Sequence, residues 1–138
     1  MAVKLEGIDE IFGAPTGNLT FDDSVILRGS VRSQARKCTG GVMDFSLANY
    51  WVCDCTGNTT FSFVNVPTDS DVISVVLQLH DAGSHILTFP SSVYWGGGIP
   101  TFTASGSDLV GFITIDGGLN WRGMGLNFNS GIPYHDPT

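Results

Sequence analysis

Charge is scarce in this chain. Of 138 residues only 14% are charged, and 6 Lys+Arg against 13 Asp+Glu leave a net charge of −7. A protein that grips nucleic acid neutralises successive phosphates with clustered cations, so this balance argues against a nucleic-acid partner. Long apolar runs are also missing. Nothing approaches the roughly 20 residues that a membrane helix requires, and the opening Met1–Glu6 is not followed by the apolar stretch of about 7–15 residues that marks a secretory signal. The expectation is a soluble chain made in a cytoplasm, with no membrane partner. Helical periodicity is absent as well, apart from a short turn expected at Ile8–Phe12, so helix content should be small.

Cysteine is limited to Cys38, Cys53 and Cys55. An odd count does not build a disulfide framework, and Cys-x-Cys plus one distant cysteine lacks the paired spacing of zinc ligands. Cys53 and Cys55 lie on one face of a strand. Buried thiols are favoured there, over a bridge from Cys38 to one of them and over a metal site. No metal and no cofactor is expected.

What the chain does have is apolar residues at 42%, 18 glycines, and a polar complement weighted toward Ser, Thr and Asn. That mixture excludes disorder and leaves a nearly uncharged surface suited to packing against other subunits. Short β-favouring runs recur at intervals of about 8–12 residues, the pattern of a sandwich or small barrel. The strands expected are Ser24–Val31, Gly41–Phe45, Tyr50–Cys55, Thr59–Val64, Val72–Leu79, Ser84–Phe89, Leu109–Ile115 and Asn120–Phe128. Together they predict an all-β fold, an antiparallel, jelly-roll-like β-sandwich of about eight strands. An extended N-terminal arm (residues 1–40) precedes the sandwich domain (41–130), and a surface tail (131–138) follows it.

The strongest local signal is Leu109–Trp121, where two β-rich runs flank Asp116-Gly117-Gly118, a turn that needs positive φ. A second hairpin is expected where Asp81–Ser84 separates Val72–Leu79 from Ser84–Phe89. Between Pro90 and Leu109 lies a long Gly-, Ser- and Thr-rich connection carrying Tyr94 and Trp95, of a length that is usually functional or packed on a partner. In the Val72–Leu79 run, Val76 interrupts the polar face, which suggests that the outer face also meets protein.

No catalytic constellation emerges. His80 and His85 flank one turn with Asp81 nearby, but polar residues at an exposed hairpin end account for them better than an acid-base or metal pair. His135 falls in the tail. Gly96–Gly98 lacks the Lys-Ser/Thr of a phosphate loop, and Asp116-Gly-Gly alone cannot supply the 6–8 oxygens that calcium takes. Trp51, Trp95, Trp121 and Tyr94 serve packing first and are the candidate partner or glycan contacts. Arg32, Arg36 and Lys37 form a local cationic spot, a candidate attachment point.

The ordered string Asn49-Tyr50, Thr56–Phe63, Asn65-Val-Pro67, Leu77-Gln-Leu79, Thr88–Trp95, Gly98–Thr101 and Phe112–Gly123 resembles a domain of structural proteins in tailed bacteriophages, especially those of cyanobacteria and marine bacteria. Its more specific pieces are Gly57-Asn-Thr-Thr-Phe61, Pro90-Ser-Ser-Val-Tyr-Trp95 and Asp116-Gly-Gly-Leu-Asn-Trp121. The resemblance runs from Asn49 to Phe128. It implies a non-enzymatic virion protein working as a homotrimer, most simply a short fibre or tail-fibre component. The alternatives are a capsid decoration (cement) protein and a glycan-binding module. Its partners would be other virion proteins of the tail, baseplate or capsid, and possible host surface glycans. Unlike the fibre relatives, this chain has no long repetitive shaft before the domain.

Overall fold

The computed structural model describes residues 23–137, and the short turn expected at Ile8–Phe12 lies outside them. The chain divides into two units, Met1–Val31 and Arg32–Thr138. In the first, the described residues Asp23–Val31 form no strand, contrary to the expectation for Ser24–Val31. The residue types favour strands, but Val25, Ile26, Leu27 and Val31 are all exposed, so no apolar face is buried to hold one.

The second unit is all-β, with ten strands and no α-helix among the described residues. They are β1 (Arg36–Lys37), β2 (Val42–Asp44), β3 (Tyr50–Asp54), β4 (Thr59–Thr60), β5 (Ser62–Val64), β6 (Ile73–His80), β7 (Leu87–Thr88), β8 (Val93–Trp95), β9 (Ser107–Thr114) and β10 (Trp121–Asn127). Six of them form one sheet in the order β1-β3-β6-β9-β10-β8, while β2-β5 and β4-β7 form two short pairs.

The pairing differs from an antiparallel sandwich. Only β6–β9 and β9–β10 are antiparallel among the described residues; β1–β3, β3–β6, β2–β5, β4–β7 and β8–β10 are parallel. The reason lies in how the chain travels. It leaves the large sheet after β3, crosses to the short pairs as β4 and β5, and returns as β6. Strands separated by such a crossover of a dozen or more residues can lie parallel, which a tight turn does not allow. The predicted strand at Thr59–Val64 is accordingly split in two, with buried Phe61 at the break.

The hairpin expected at Asp81–Ser84 does not form either. Asp81 adopts φ 56, and Ala82–Ser84 makes a 3-10 turn. The Asp81 and Gly83 N–H groups donate to Gly106 and Thr103, so the turn is bound to the segment before β9, and β7 pairs with β4 instead of β6. The hairpin at Asp116–Gly118 does form, with Gly117 at φ +70 and Gly118 at φ +82 joining β9 to β10.

The core lies on one face of the large sheet, where Trp51, Cys53, Val75, Leu77, Leu79, Val110, Phe112 and Trp121 are buried. The short pairs close over it with aromatic rings. Phe63 of β5 meets Phe112 and Trp121 at centroid distances of 5.2 Å, and Phe61 stacks on Phe89 at 5.0 Å. On the other face lies the C-terminal tail, where Tyr134 packs edge-on to His80 at 5.0 Å and Lys37 Nζ donates to Asp136 at 3.1 Å.

Gly40 and Gly41 separate two effects of glycine at the entry to β2. Both have positive φ, but a Cβ on Gly40 meets open space, while one on Gly41 falls 2.2 Å from the Thr60 carbonyl oxygen. Gly40→Ala should therefore cost about 1 kcal/mol for left-handed backbone alone. Gly41→Ala should cost about 2 kcal/mol more, as overpacking against rigid backbone adds to it. Paired urea unfolding curves measure the difference, and equal losses would mean that the approach of Gly41 to Thr60 of β4 is looser than described.

Candidate functional site

The sequence-selected aromatics do not converge. Trp51 (3% exposed) and Trp121 (1%) belong to the core, and Trp95 packs edge-on against Phe89 and Phe112 at 5.2 and 5.5 Å. Tyr94 alone faces outward, at 64% exposure. The cause is β8 itself. Val93, Tyr94 and Trp95 form a strand inside the Gly-, Ser- and Thr-rich segment expected to be a long connection, and alternation sends Val93 and Trp95 inward and Tyr94 out. The pattern apolar-Tyr-Trp after Pro90 was the available signal.

Across β8, β10, β9 and β6 the register aligns Tyr94 with Arg122, Ile113 and Ser74. Beside this row the Asp116 turn raises a wall, giving a shallow groove of about 390 Å³ lined by Tyr94, Ile113, Ile115, Asp116, Asn120 and Arg122. Ile115 is 64% exposed and Leu119 76%. The strip is thus apolar with polar margins, at the edge of the sheet.

The turn wall is held by Asp116, Asn120 and Thr114. The Asp116 carboxylate accepts from the Asn120 backbone N–H at 3.0 Å and side-chain amide at 2.9 Å, and the Thr114 hydroxyl lies 2.9 Å away. Those hydrogen bonds, the Asn120 amide first, hold the Asp116 carboxyl below the ordinary carboxylate range. A depressed folded-state pKa favours the folded turn above the ordinary carboxylate pKa, and this contribution is lost as pH falls through the depressed value. Asn120→Ala should move the Asp116 titration back up toward its ordinary value, read by carboxyl chemical shifts. An unmoved titration would show that Asn120 is not the main contributor.

The cationic residues fall elsewhere. Arg36 and Lys37 form β1 at the opposite edge, exposed, and line a groove with Gln34, Thr39, His135 and Pro137; Arg32 opens the second unit. Lys37 is engaged by Asp136, which raises its pKa. His80 is buried at 5%, its Nε2 lying 2.8 Å from Gln78 Nε2, rather than at an exposed hairpin end, because β6 runs on to His80 and the tail covers it. Among the described residues, no group of three His, Cys, Asp or Glu side chains is placed to hold a metal ion.

Asp108 is the polar residue that sequence reasoning missed. It is 1% exposed and accepts from the Thr103 N–H (2.6 Å) and hydroxyl (2.7 Å) and from the Asn129 N–H (3.0 Å). Its ligands are the protein's own loops, so its role is to fasten the β8–β9 connection and the start of the tail. No spacing rule announces a partner 21 residues away.

Comparison with protein-family models, with curated proteins and with solved structures finds no match to this chain.

Proposed function

We propose that this chain is a non-enzymatic structural protein of a tailed-bacteriophage particle, made in the host cytoplasm and assembled as a homotrimer, with its β unit exposed as a short fibre or tail-fibre component. One observation carries the reading beyond the sequence resemblance. Tyr94, Ile113, Ile115 and Arg122 make a largely apolar strip with a polar rim, running inward from the edge strand β8 across β10 and β9. Such a strip is the composition of a subunit contact, in which aromatic and Arg side chains are enriched and Lys and Glu are depleted. Tyr94→Asp should convert a particle of three times 14.7 kDa to one of 14.7 kDa in light scattering, with the unfolding transition retained. A variant that stays trimeric, or a parent chain that is monomeric, overturns the contact assignment.

A capsid decoration protein is the second reading, favoured by the N-terminal unit, whose exposed Val25, Ile26, Leu27 and Val31 offer an apolar segment to neighbouring subunits. Quantitative mass spectrometry of purified particles separates the two. A copy number matching the capsid lattice means cement, a few copies per tail means fibre, and absence from particles sinks both. In that last case the exposed Tyr94 ring beside Asn120 and Arg122 makes a host-surface glycan the ligand to test.

A further inference from the structure

Three cysteines spread over 18 residues of sequence meet at the β1 edge of the large sheet. All are free and buried, at 6% (Cys38), 4% (Cys53) and 3% (Cys55) exposure. Cys38 follows β1 directly, and its N–H donates to the Val52 carbonyl at 2.8 Å, continuing the parallel ladder by one residue. Since Lys37 pairs with Val52, that continuation sets Cys38 beside Cys53. The Cys38 thiol donates to the Val42 carbonyl at 3.4 Å, and Cys53 Sγ lies 3.7 Å from Cys55 Sγ.

Cys53 therefore has two sulfur neighbours, and strand geometry distinguishes them. Adjacent strands run about 4.8 Å apart, inside the roughly 4.4–6.8 Å between Cα atoms that a disulfide spans. Residues two apart on one extended strand are about 6.6 Å apart, at the upper limit of that range, and a bridge there would have to bend β3. The neighbouring Cys38 and Cys55 thiols, Cys38 first, pull the Cys53 thiol below its ordinary pKa. A thiolate is the nucleophilic form.

We infer that Cys53 and Cys38 form an oxidation site for a small hydroperoxide, closing to a disulfide that staples β1 to β3. In the first step the Cys53 thiolate attacks one peroxide oxygen and the O–O bond breaks. This gives a Cys53 sulfenic acid and hydroxide, which takes up the proton the thiol released. In the second, the Cys38 sulfur attacks the Cys53 sulfur, the S–O bond breaks, and the hydroxyl leaves as water with the Cys38 proton. The sum is two thiols and one hydrogen peroxide to one disulfide and two waters. The staple matters because β1 is a two-residue edge strand, and the bridge would close the loop through β2 that separates it from β3. This inference stands independently of the virion reading.

The test uses the full chain, treated with hydrogen peroxide or kept in a phosphine reductant. Cleavage before aspartate separates the three cysteines, because Asp44 lies between Cys38 and Cys53 and Asp54 between Cys53 and Cys55. Expected are a loss of two hydrogens in the intact mass, a linked peptide pair carrying Cys38 and Cys53, and a midpoint of thermal unfolding about 10 °C higher than in the reduced chain. Cys55→Ser should keep all three signatures, and Cys38→Ser should lose the midpoint shift. Three thiols surviving peroxide that oxidises free cysteine, or a link between Cys53 and Cys55, overturns the proposal. Should Cys38→Ser fail to fold, the peptide map of the parent chain decides by itself.

Discussion

Replacing Trp121 by alanine should lower the free energy of unfolding by about 3–5 kcal/mol, the largest loss from any single truncation here. Trp121 opens β10 and is 1% exposed, so its whole ring is committed to the interior. It lies 5.2 Å from the rings of both Phe45 and Phe63, and Phe63 in turn contacts Phe112. These are the contacts by which the β2–β5 pair is held on the large sheet. Removing the indole opens a cavity that neither layer can close, since each is pinned by its own ladder, and the cavity adds to the lost transfer free energy. Trp121→Phe should cost about 1–2 kcal/mol, as most of the aromatic volume is kept. Urea unfolding followed by circular dichroism measures both. With an unchanged slope, the midpoint should fall for alanine by more than twice the shift for phenylalanine. A loss below about 1 kcal/mol for Trp121→Ala would mean that the two layers are not joined through this ring.

Asp108→Ala should cost about 3 kcal/mol, because it removes the acceptor for three donors in a dry position. The carboxylate is buried while Thr103 is half-buried and Asn129 exposed, so the loss is that of hydrogen bonds to a charged group, about 1.5–3 kcal/mol. Asp108→Asn keeps the shape but replaces one acceptor oxygen with a donor, and it should fall between the two. Native-state hydrogen exchange supplies the structural readout. The Thr103 and Asn129 amides should lose protection in Asp108→Ala, while the β6–β9 ladder loses it only through the global change. Uniform loss across the whole unit would place Asp108 in the general core and deny it the particular task of fastening two loops.

Both residues show where sequence reading succeeds and where it stops. The β9–β10 hairpin was legible because its causes are local: β-rich flanks, and two glycines that accept positive φ at 117 and 118. Alternation in β6 was legible for the same reason, with Val75, Leu77 and Leu79 buried in turn. Trp121 as a packing residue follows from residue type. Strand direction was not legible. A run such as Thr59–Val64 carries the same β propensity whether it folds back in a hairpin or crosses to another layer, and the Phe61 break that decides the matter depends on Phe89, 28 residues later. The candidate contacts were half legible. Tyr94 could be singled out as aromatic, but its exposure, and the burial of Trp51 and Trp121, depend on the face each strand turns to the core.

Composition and local pattern by themselves determined the β class, the Asp116 turn, the scarcity of charge and the apolar residues available for a core, since these depend on neighbours within a few positions. The tertiary structure alone decided the parallel winding, the groove beside Tyr94, the buried place of Asp108 and the meeting of Cys38 with Cys53 and Cys55. Each of these rests on a contact between distant segments, and closing such a contact depends on where the rest of the chain has already packed.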